Sequence, residues 1–262
     1  MCNLYHMSPK GDVERYIGRQ ARLALPDYQA THVQPFDTGL FIRPGAEGEL
    51  QGVMGQWGMI RPGQKARIEM KKVPSSRPGA EPLLRPMLKN NSRSETTHSS
   101  PAFRDAWKQG RRCLIPATWL QEPNWETGRC VWWRLQRADG LPWMVAGIWS
   151  EWVDPESGEL VPNYAMLTFN VDSHPLLRRL HRPVLDPATK KPLPPDQQDK
   201  RGEAHIEPAD WDSWLHGDEA AARRLLVPPP VEMFDQAQAQ AMDRELESMM
   251  GSGDDIGQDE LF

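Results

Sequence analysis

The stretch from Cys130 to Trp152 constrains the fold more than any other part of the chain. It reads "CVWWRLQR" (130–137), then "ADGL", then "PWMVAGIWSEW" (142–152). Val, Ile and Trp dominate both runs, and apolar and polar residues alternate along much of them. That is the pattern of half-buried strands. Asp-Gly between two such runs predicts a β-hairpin, because its residues tolerate the positive φ angles of a tight turn.

Other segments extend the reading. "TGLFIR" (38–43) and "LQGVMGQWGMI" (50–60) predict two strands around a Gly/Glu turn, and "RCLIPA" (112–117) and "NYAMLTFNV" (163–171) predict two more. Residues 10–23 have helical spacing of apolar positions. "SSPAFRDAWKQG" (99–110) predicts a helix with Ser100 as N-cap, Pro101 in the first turn and Gly110 as the stop. "SHPLLRRL" (173–180), "EPADWDSWL" (207–215) and "DEAAARRLL" (218–226) predict three further helices, the last stopped by "PPP" (228–230). The class is α+β, mostly antiparallel, over residues 1–235. From residue 236 to 262 the chain carries seven acidic residues and one Arg, and its Gly/Asp-rich end reads as a disordered acidic tail.

Composition limits the function classes. Charged residues make up 26% and the net charge is −5, an ordinary soluble profile. No apolar run approaches the roughly 18 residues that span a bilayer, and no basic region precedes an apolar core at the start. A cytoplasmic protein without a membrane partner is expected. The three cysteines, Cys2, Cys113 and Cys130, have no CxxC spacing, which argues against a disulfide framework or a structural zinc site. Neither a metal nor another cofactor is expected. Eleven tryptophans are many, and several are candidates for stacking surfaces. Between Arg61 and Arg93, nine Lys/Arg residues stand against two Glu in a Pro/Gly/Ser-rich segment. This reads as an extended basic loop: a track for a polyanion backbone through Lys71, Lys72, Arg77 and Arg85, or a solvated loop.

Reactive residue types gather in four short stretches. Cys2 follows Met1 directly, so loss of Met1 exposes an α-amine and a thiol on adjacent carbons. "NNSRSET" (90–96) supplies Asn91, Arg93 and Glu95. "RCLIPATWLQEP" (112–123) supplies Glu122 among aromatic and apolar neighbours. "LLRRLHRP" (176–183) supplies His181 at the end of a predicted helix. Each alone is weak evidence: a Glu before Pro is commonly a loop carboxylate, and a helix-terminal His commonly answers the dipole.

Taken in order, these stretches resemble the SOS-response-associated peptidase (SRAP) family of abasic-site-processing proteins. The matching elements are Met1-Cys2, "QWGMI" with Trp57, "NSRSE" from Asn91 to Glu95, "RCLIPA" with Glu122 six residues after its Pro, and His181. "PAFRDAW" and "AGIWSEW" also look like the family. The resemblance implies a single domain with a barrel-like β core flanked by helices. It also implies self-removal of Met1, followed by covalent capture of abasic sites in single-stranded DNA during the damage response, by a monomer near the nucleoid. The residues permit a chemical account. An N-terminal amine has a pKa of about 7.7–8.0 and a free thiol one of about 8.5. The amine would attack the sugar aldehyde, and the thiol would close on the same carbon to give a thiazolidine. Glu122 would be the general acid/base and His181 would assist sugar-ring opening. Asn91 would orient the Cys2 backbone and amine, Arg93 would hold a phosphate, and Trp57 would stack on a base.

The chain departs from the family pattern in places. Asn3-Leu4 replaces the common Gly-Arg, Pro123 stands where an aromatic residue often follows the Glu, and a long insertion follows His181, with Lys200-Arg201 as the displaced basic element. His174 competes with His181 for the catalytic assignment, and His205 reads as structural. Two other functions use the same features. An N-terminal-nucleophile amidohydrolase would turn Cys2 on a glutamine amide, and a plain single-strand-binding module would leave Cys2 incidental. The terminal "GQDELF" resembles sliding-clamp-binding peptides, with Gln258, Leu261 and Phe262 as the anchor residues.

Overall fold

A computed structural model describes residues 2–75, 79, 81–235, 237–238 and 244. In chain order the strands are β1 (Leu4–Met7), β2 (Leu23–Ala24), β3 (His32–Val33), β4 (Thr38–Pro44), β5 (Leu50–Trp57), β6 (Met70–Val73), β7 (Leu83–Pro86), β8 (Asn91–Arg93), β9 (Arg112–Asn124), β10 (Val131–Gln136), β11 (Trp143–Val153), β12 (Leu160–Asn170) and β13 (Arg201–Glu203). The helices are short: α1 (Lys10–Ile17), α2 (Arg104–Lys108), α3 (Trp211–His216) and α4 (Glu219–Arg224).

Strands β9, β11, β12, β5 and β4 close into a mixed barrel. All its pairings are antiparallel except β5 with β12. Closure removes the free edges that an open sheet of this size would expose. The barrel runs in apolar stretches such as Leu40–Ile42, Cys113–Ile115, Met144–Ala146 and Tyr164–Leu167, all buried. Trp57, Trp133, Trp143 and Trp214 are among the largest side chains buried almost completely, so much of the tryptophan content is core. At one point the packing leaves no room for a side chain. A Cβ on Gly39 would lie 2.2 Å from the Tyr164 hydroxyl and 2.4 Å from that of Tyr5, two oxygens that share a hydrogen bond of 2.5 Å.

The Asp-Gly segment does not make the predicted hairpin. β10 pairs with the second half of β9 (Val131 opposite Asn124, Gln136 opposite Trp119), and β11 pairs with the first half (Trp143 opposite Ala117, Ile148 opposite Arg112). β1 occupies the other edge of β9, so β10 and β11 lie end to end along one edge. Asp139 holds the jog between them: it accepts from the Leu141 amide and pairs with the buried Arg137. The thirteen-residue β9, expected to be a short strand, supplies more pairing than a hairpin could.

Several predicted helices shrink. α1 ends at Ile17 instead of running to 23. α2 begins at Arg104, with turns from Glu95 to Phe103 before it, so Ser100 does not cap it. Gly110 does take the left-handed conformation that stops it, with φ 65°. Residues 173–180 form only a 3-10 turn at Leu177–Arg179: His174 Nδ1 caps its start by accepting the amides of Leu176 and Leu177, and extended Leu180 followed by His181 at φ 64° ends it. The basic segment is not a bare loop: β6 and β7 pair as a separate two-stranded ribbon. Among the described residues no helix is long and apolar enough to cross a membrane.

Gly39→Ala should therefore break the Tyr5–Tyr164 bond and lower stability by about 1–3 kcal/mol, read as a lower midpoint in urea unfolding with an unchanged slope.

Candidate active site

Strand pairing brings distant segments to one point. β1 is laid on β9 with Leu4 opposite Gln121, which sets Cys2 beside Glu122. β12 then carries β8 along one edge and β13 along the other, with Thr168 opposite both Arg93 and Glu203. These two short strands deliver Asn91 and Glu203.

Cys2 is fully buried and held at both ends of its peptide unit. Its carbonyl oxygen accepts from Asn91 Nδ2 at 2.6 Å and from Asn90 Nδ2 at 3.1 Å. Its nitrogen donates to Glu203 Oε1 at 3.3 Å. Its thiol donates to the Leu4 carbonyl at 3.2 Å. The thiol of Cys2 and carboxyl oxygens of Glu122 and Glu203 lie within 4.8 Å of one another. His181 follows the 3-10 turn with its backbone in the left-handed region, φ 64°. Its amide donates to the Pro123 carbonyl at 2.6 Å. Its Nε2 donates to the Arg201 carbonyl at 2.8 Å, which fixes the tautomer and turns Nδ1 toward Glu122 Oε2 at 3.5 Å. Lys200 Nζ pins the same turn through the Leu180 and His181 carbonyls.

The electrostatics follow from burying several ionisable groups together. Burial raises the Glu122 carboxyl above its ordinary range. Burial first, and then the Glu122 charge, push Glu203 up to about 8. Burial and the two carboxylates raise the Cys2 thiol well above its usual value. Burial pushes His181 down to about 4, so the ring is uncharged at neutral pH. Two carboxylates this close in a buried site cannot both be charged at low cost, which favours the protonated form of the pair.

Asn91, Glu122 and His181 thus lie together around Cys2, Asn91 reaching the carbonyl and not the nitrogen and His181 reaching Glu122. Arg93 lies at the site's edge, half-exposed and paired with Asp199 at 2.8 Å. Trp57 is fully buried and packs edge-on against Tyr5, with ring centroids 5.1 Å apart, so it offers no face to a base. This corrects the stacking role expected of it: strand β5 points the ring into the barrel. Lys71, Lys72 and Arg85 are exposed on the β6–β7 ribbon, whereas Lys89 is buried against Glu69 and Gln64. Arg77 and the terminal Gln258, Leu261 and Phe262 lie outside the described residues. His174 bonds the Pro229 carbonyl, and His205 joins Arg137, Glu207 and the Met144 amide, so both serve structure. A groove of about 700 Å³, lined in part by Trp125, Arg178, Arg179 and Lys200, opens at His181. Arg182 lies over the Trp125 ring at 4.0 Å.

Sequence reasoning misses Glu203 and Asn90. Asn90 is hidden as the neighbour of a residue already assigned. Glu203 sits beyond the insertion, in "KRGEAHI", a run of mixed polar and apolar residues that carries no signal of its own.

The family model for the SOS response associated peptidase (SRAP) matches residues 1–245. No curated protein matches the chain. Among solved structures, a protein from Bordetella bronchiseptica is 28% identical with a TM-score of 0.66, over 89% of this chain and 97% of the other. A protein from Bacteroides thetaiotaomicron is 18% identical with a TM-score of 0.60, over 89% and 90% of the two chains. A phage-related protein from Bordetella bronchiseptica is 17% identical with a TM-score of 0.53, over 87% and 90%. The last two show likeness of fold alone.

Glu203 makes stability depend on pH in a defined direction. Its pKa is raised from 4.5 on folding, so the folded state holds a proton that the unfolded state has lost. Stabilisation from this group is full below about pH 4.5 and is lost as pH rises toward 8. Glu203→Gln removes the titration, so its melting temperature should exceed the wild type's at pH 8 and approach it at pH 4.5, by roughly 2–4 °C per kcal/mol recovered.

Proposed function

Because the chain belongs to the SOS response associated peptidase family, we propose that it removes its own Met1 and then captures abasic sites in single-stranded DNA through Cys2. One observation carries this reading: the Cys2 peptide unit is gripped through both its carbonyl and its nitrogen, with acid groups at the nitrogen. A structural cysteine has no use for two buried carboxyls, which are costly to bury. A nitrogen that must shed and regain protons does.

The chemistry suits the groups present. Once Met1 is gone, the Cys2 nitrogen is an α-amine, and a neutral amine attacks the C1 aldehyde of an opened abasic sugar. The carbinolamine loses water to give an iminium, and the thiol adds to the same carbon to close a five-membered thiazolidine. Glu122, between Glu203 and His181, is placed to exchange protons with the amine and with the departing oxygen. Neutral His181, its tautomer set by the Arg201 carbonyl, is placed to work at the sugar hydroxyls. The Asn91 and Asn90 bonds hold the backbone still while both bonds form.

DNA would approach over cationic surface. The exposed Lys71, Lys72 and Arg85 of the ribbon are available to phosphates. The groove beside His181, with the Arg182–Trp125 pair at its wall, has the cation and aromatic face that single strands use.

The test is a single-stranded oligonucleotide with one abasic site, incubated with protein and run on a denaturing gel. Wild-type protein should give a denaturant-resistant adduct, Cys2→Ala none, and Glu122→Gln an adduct forming roughly 10²–10⁴-fold more slowly. An adduct of wild-type yield from Cys2→Ala would defeat the proposal, and glutaminase activity without an adduct would favour the amidohydrolase.

A further inference from the structure

We propose that Glu203 is a second catalytic carboxyl, which relays the proton of the Cys2 α-ammonium to Glu122. The inference rests on the reading of Cys2 as an amine nucleophile and adds a residue and a route to it. Three observations support it. Glu203 is the side chain bonded to the Cys2 nitrogen, at 3.3 Å. One of its oxygens also lies within 4.8 Å of a Glu122 oxygen and of the Cys2 thiol, so one carboxyl stands between the nucleophile and the acid/base. And it is held in place by β13 pairing with β12, with Glu203 opposite Thr168, so its position comes from a sheet register and not from a loop.

Titratable groups face it from three elements. From β9 it faces Glu122, from the N-terminal segment Cys2, and from the turn after Leu180 the neutral His181 ring. Lys200 is turned to the Leu180 and His181 carbonyls, and Arg201 to Glu95 and Asp199. The relay starts from one proton on the pair, carried by Glu203, with Glu122 as its acceptor.

The steps balance. The ammonium gives a proton to one oxygen of Glu203 while the other oxygen passes its proton to Glu122. The amine is now neutral, Glu203 is unchanged and Glu122 is a carboxylic acid. The amine adds to the aldehyde carbon, and a proton moves from nitrogen to oxygen to give the carbinolamine. Glu122 protonates the hydroxyl, which leaves as water with the C–O bonding pair, and the nitrogen lone pair forms the iminium. The thiol then gives its proton to the Glu122 carboxylate, and sulfur forms the C–S bond as the C=N pair returns to nitrogen. One proton leaves the pair for solvent. The net change is ammonium thiol plus aldehyde to thiazolidine, water and one proton.

The experiment measures the adduct formation rate against pH for wild type, Glu203→Gln, Glu203→Asp, Glu122→Gln and the double Gln variant, using the full chain and a single-stranded abasic oligonucleotide. Glutamine keeps the shape and the acceptor but cannot relay a proton. Glu203→Gln should be about 10²-fold slower at pH 7, with its rate recovering as pH rises and solvent deprotonates the amine. Glu203→Asp, with the acid retained but drawn back, should fall between. The double variant should be no slower than Glu122→Gln, since the two act as one relay. Circular dichroism and melting curves identify any variant that fails to fold, and Glu203→Asp then carries the comparison. A wild-type rate and pH profile in folded Glu203→Gln or Glu203→Asp overturns the relay while the Cys2-dependent adduct still upholds the parent reading. Absence of any Cys2-dependent adduct in wild type overturns both.

Discussion

The hydrogen bonds that the Asn91 and Asn90 amides give to the Cys2 carbonyl, at 2.6 and 3.1 Å, tie three parts of the molecule into one site. β8 must lie on β12 for Asn91 to reach, and β1 must lie on β9 for the Cys2 carbonyl to be there. Glu203, from β13 on the opposite edge of β12, holds the nitrogen of the same residue. A flexible chain end is thereby fixed between two layers of pairing, at an ordering cost of roughly 1–2 kcal/mol per residue that the barrel must absorb.

That site is expensive. It buries a thiol and two carboxyls together, with an imidazole beside them, and each is shifted away from its charged form. Buried acids without a full countercharge destabilise a fold. The compensation is visible in the barrel, where apolar runs such as Leu40–Ile42, Cys113–Ile115, Met144–Ala146 and Tyr164–Leu167 are buried and the fully buried tryptophans fill the largest volumes. Several buried indoles also satisfy their N–H groups on backbone carbonyls, as Trp143 does on Leu135, Trp211 on Ile206 and Trp214 on Cys113. The destabilised part is small and local, the usual form of conflict between sequence and stability.

Much of this architecture is legible in the amino-acid order alone. The alternating aromatic runs predict strands, and β4, β5, β10, β11 and β12 lie close to where the pattern puts them. The order of Cys2, Asn91, Glu122 and His181 marks residues that the fold brings together. What is not legible has physical causes. Asp-Gly permits a tight turn but does not require one, and a long β9 outcompetes the local hairpin by pairing with β10 and β11 in turn. Trp57 cannot be classed as core or surface from its neighbours, because strand periodicity gives its phase only once the barrel is closed. Glu203 escapes notice because a shift of register decides whether a carboxyl on a short strand faces solvent or Cys2. The predicted helix over 173–180 fails for a local reason, since Leu180 is extended and His181 takes a left-handed backbone, which stops the chain after one turn.

Capture of an aldehyde at this site requires the Cys2 nitrogen to be an amine in the working protein. The intact mass of the purified full-length chain, with a fragment spectrum of its first residues, measures this directly. The account predicts a mass short by one methionine and a sequence that starts at Cys2, with Cys2→Ala and Glu122→Gln judged for Met1 retention against the same standard. A wild-type chain that keeps Met1, and still forms the adduct, would contradict it.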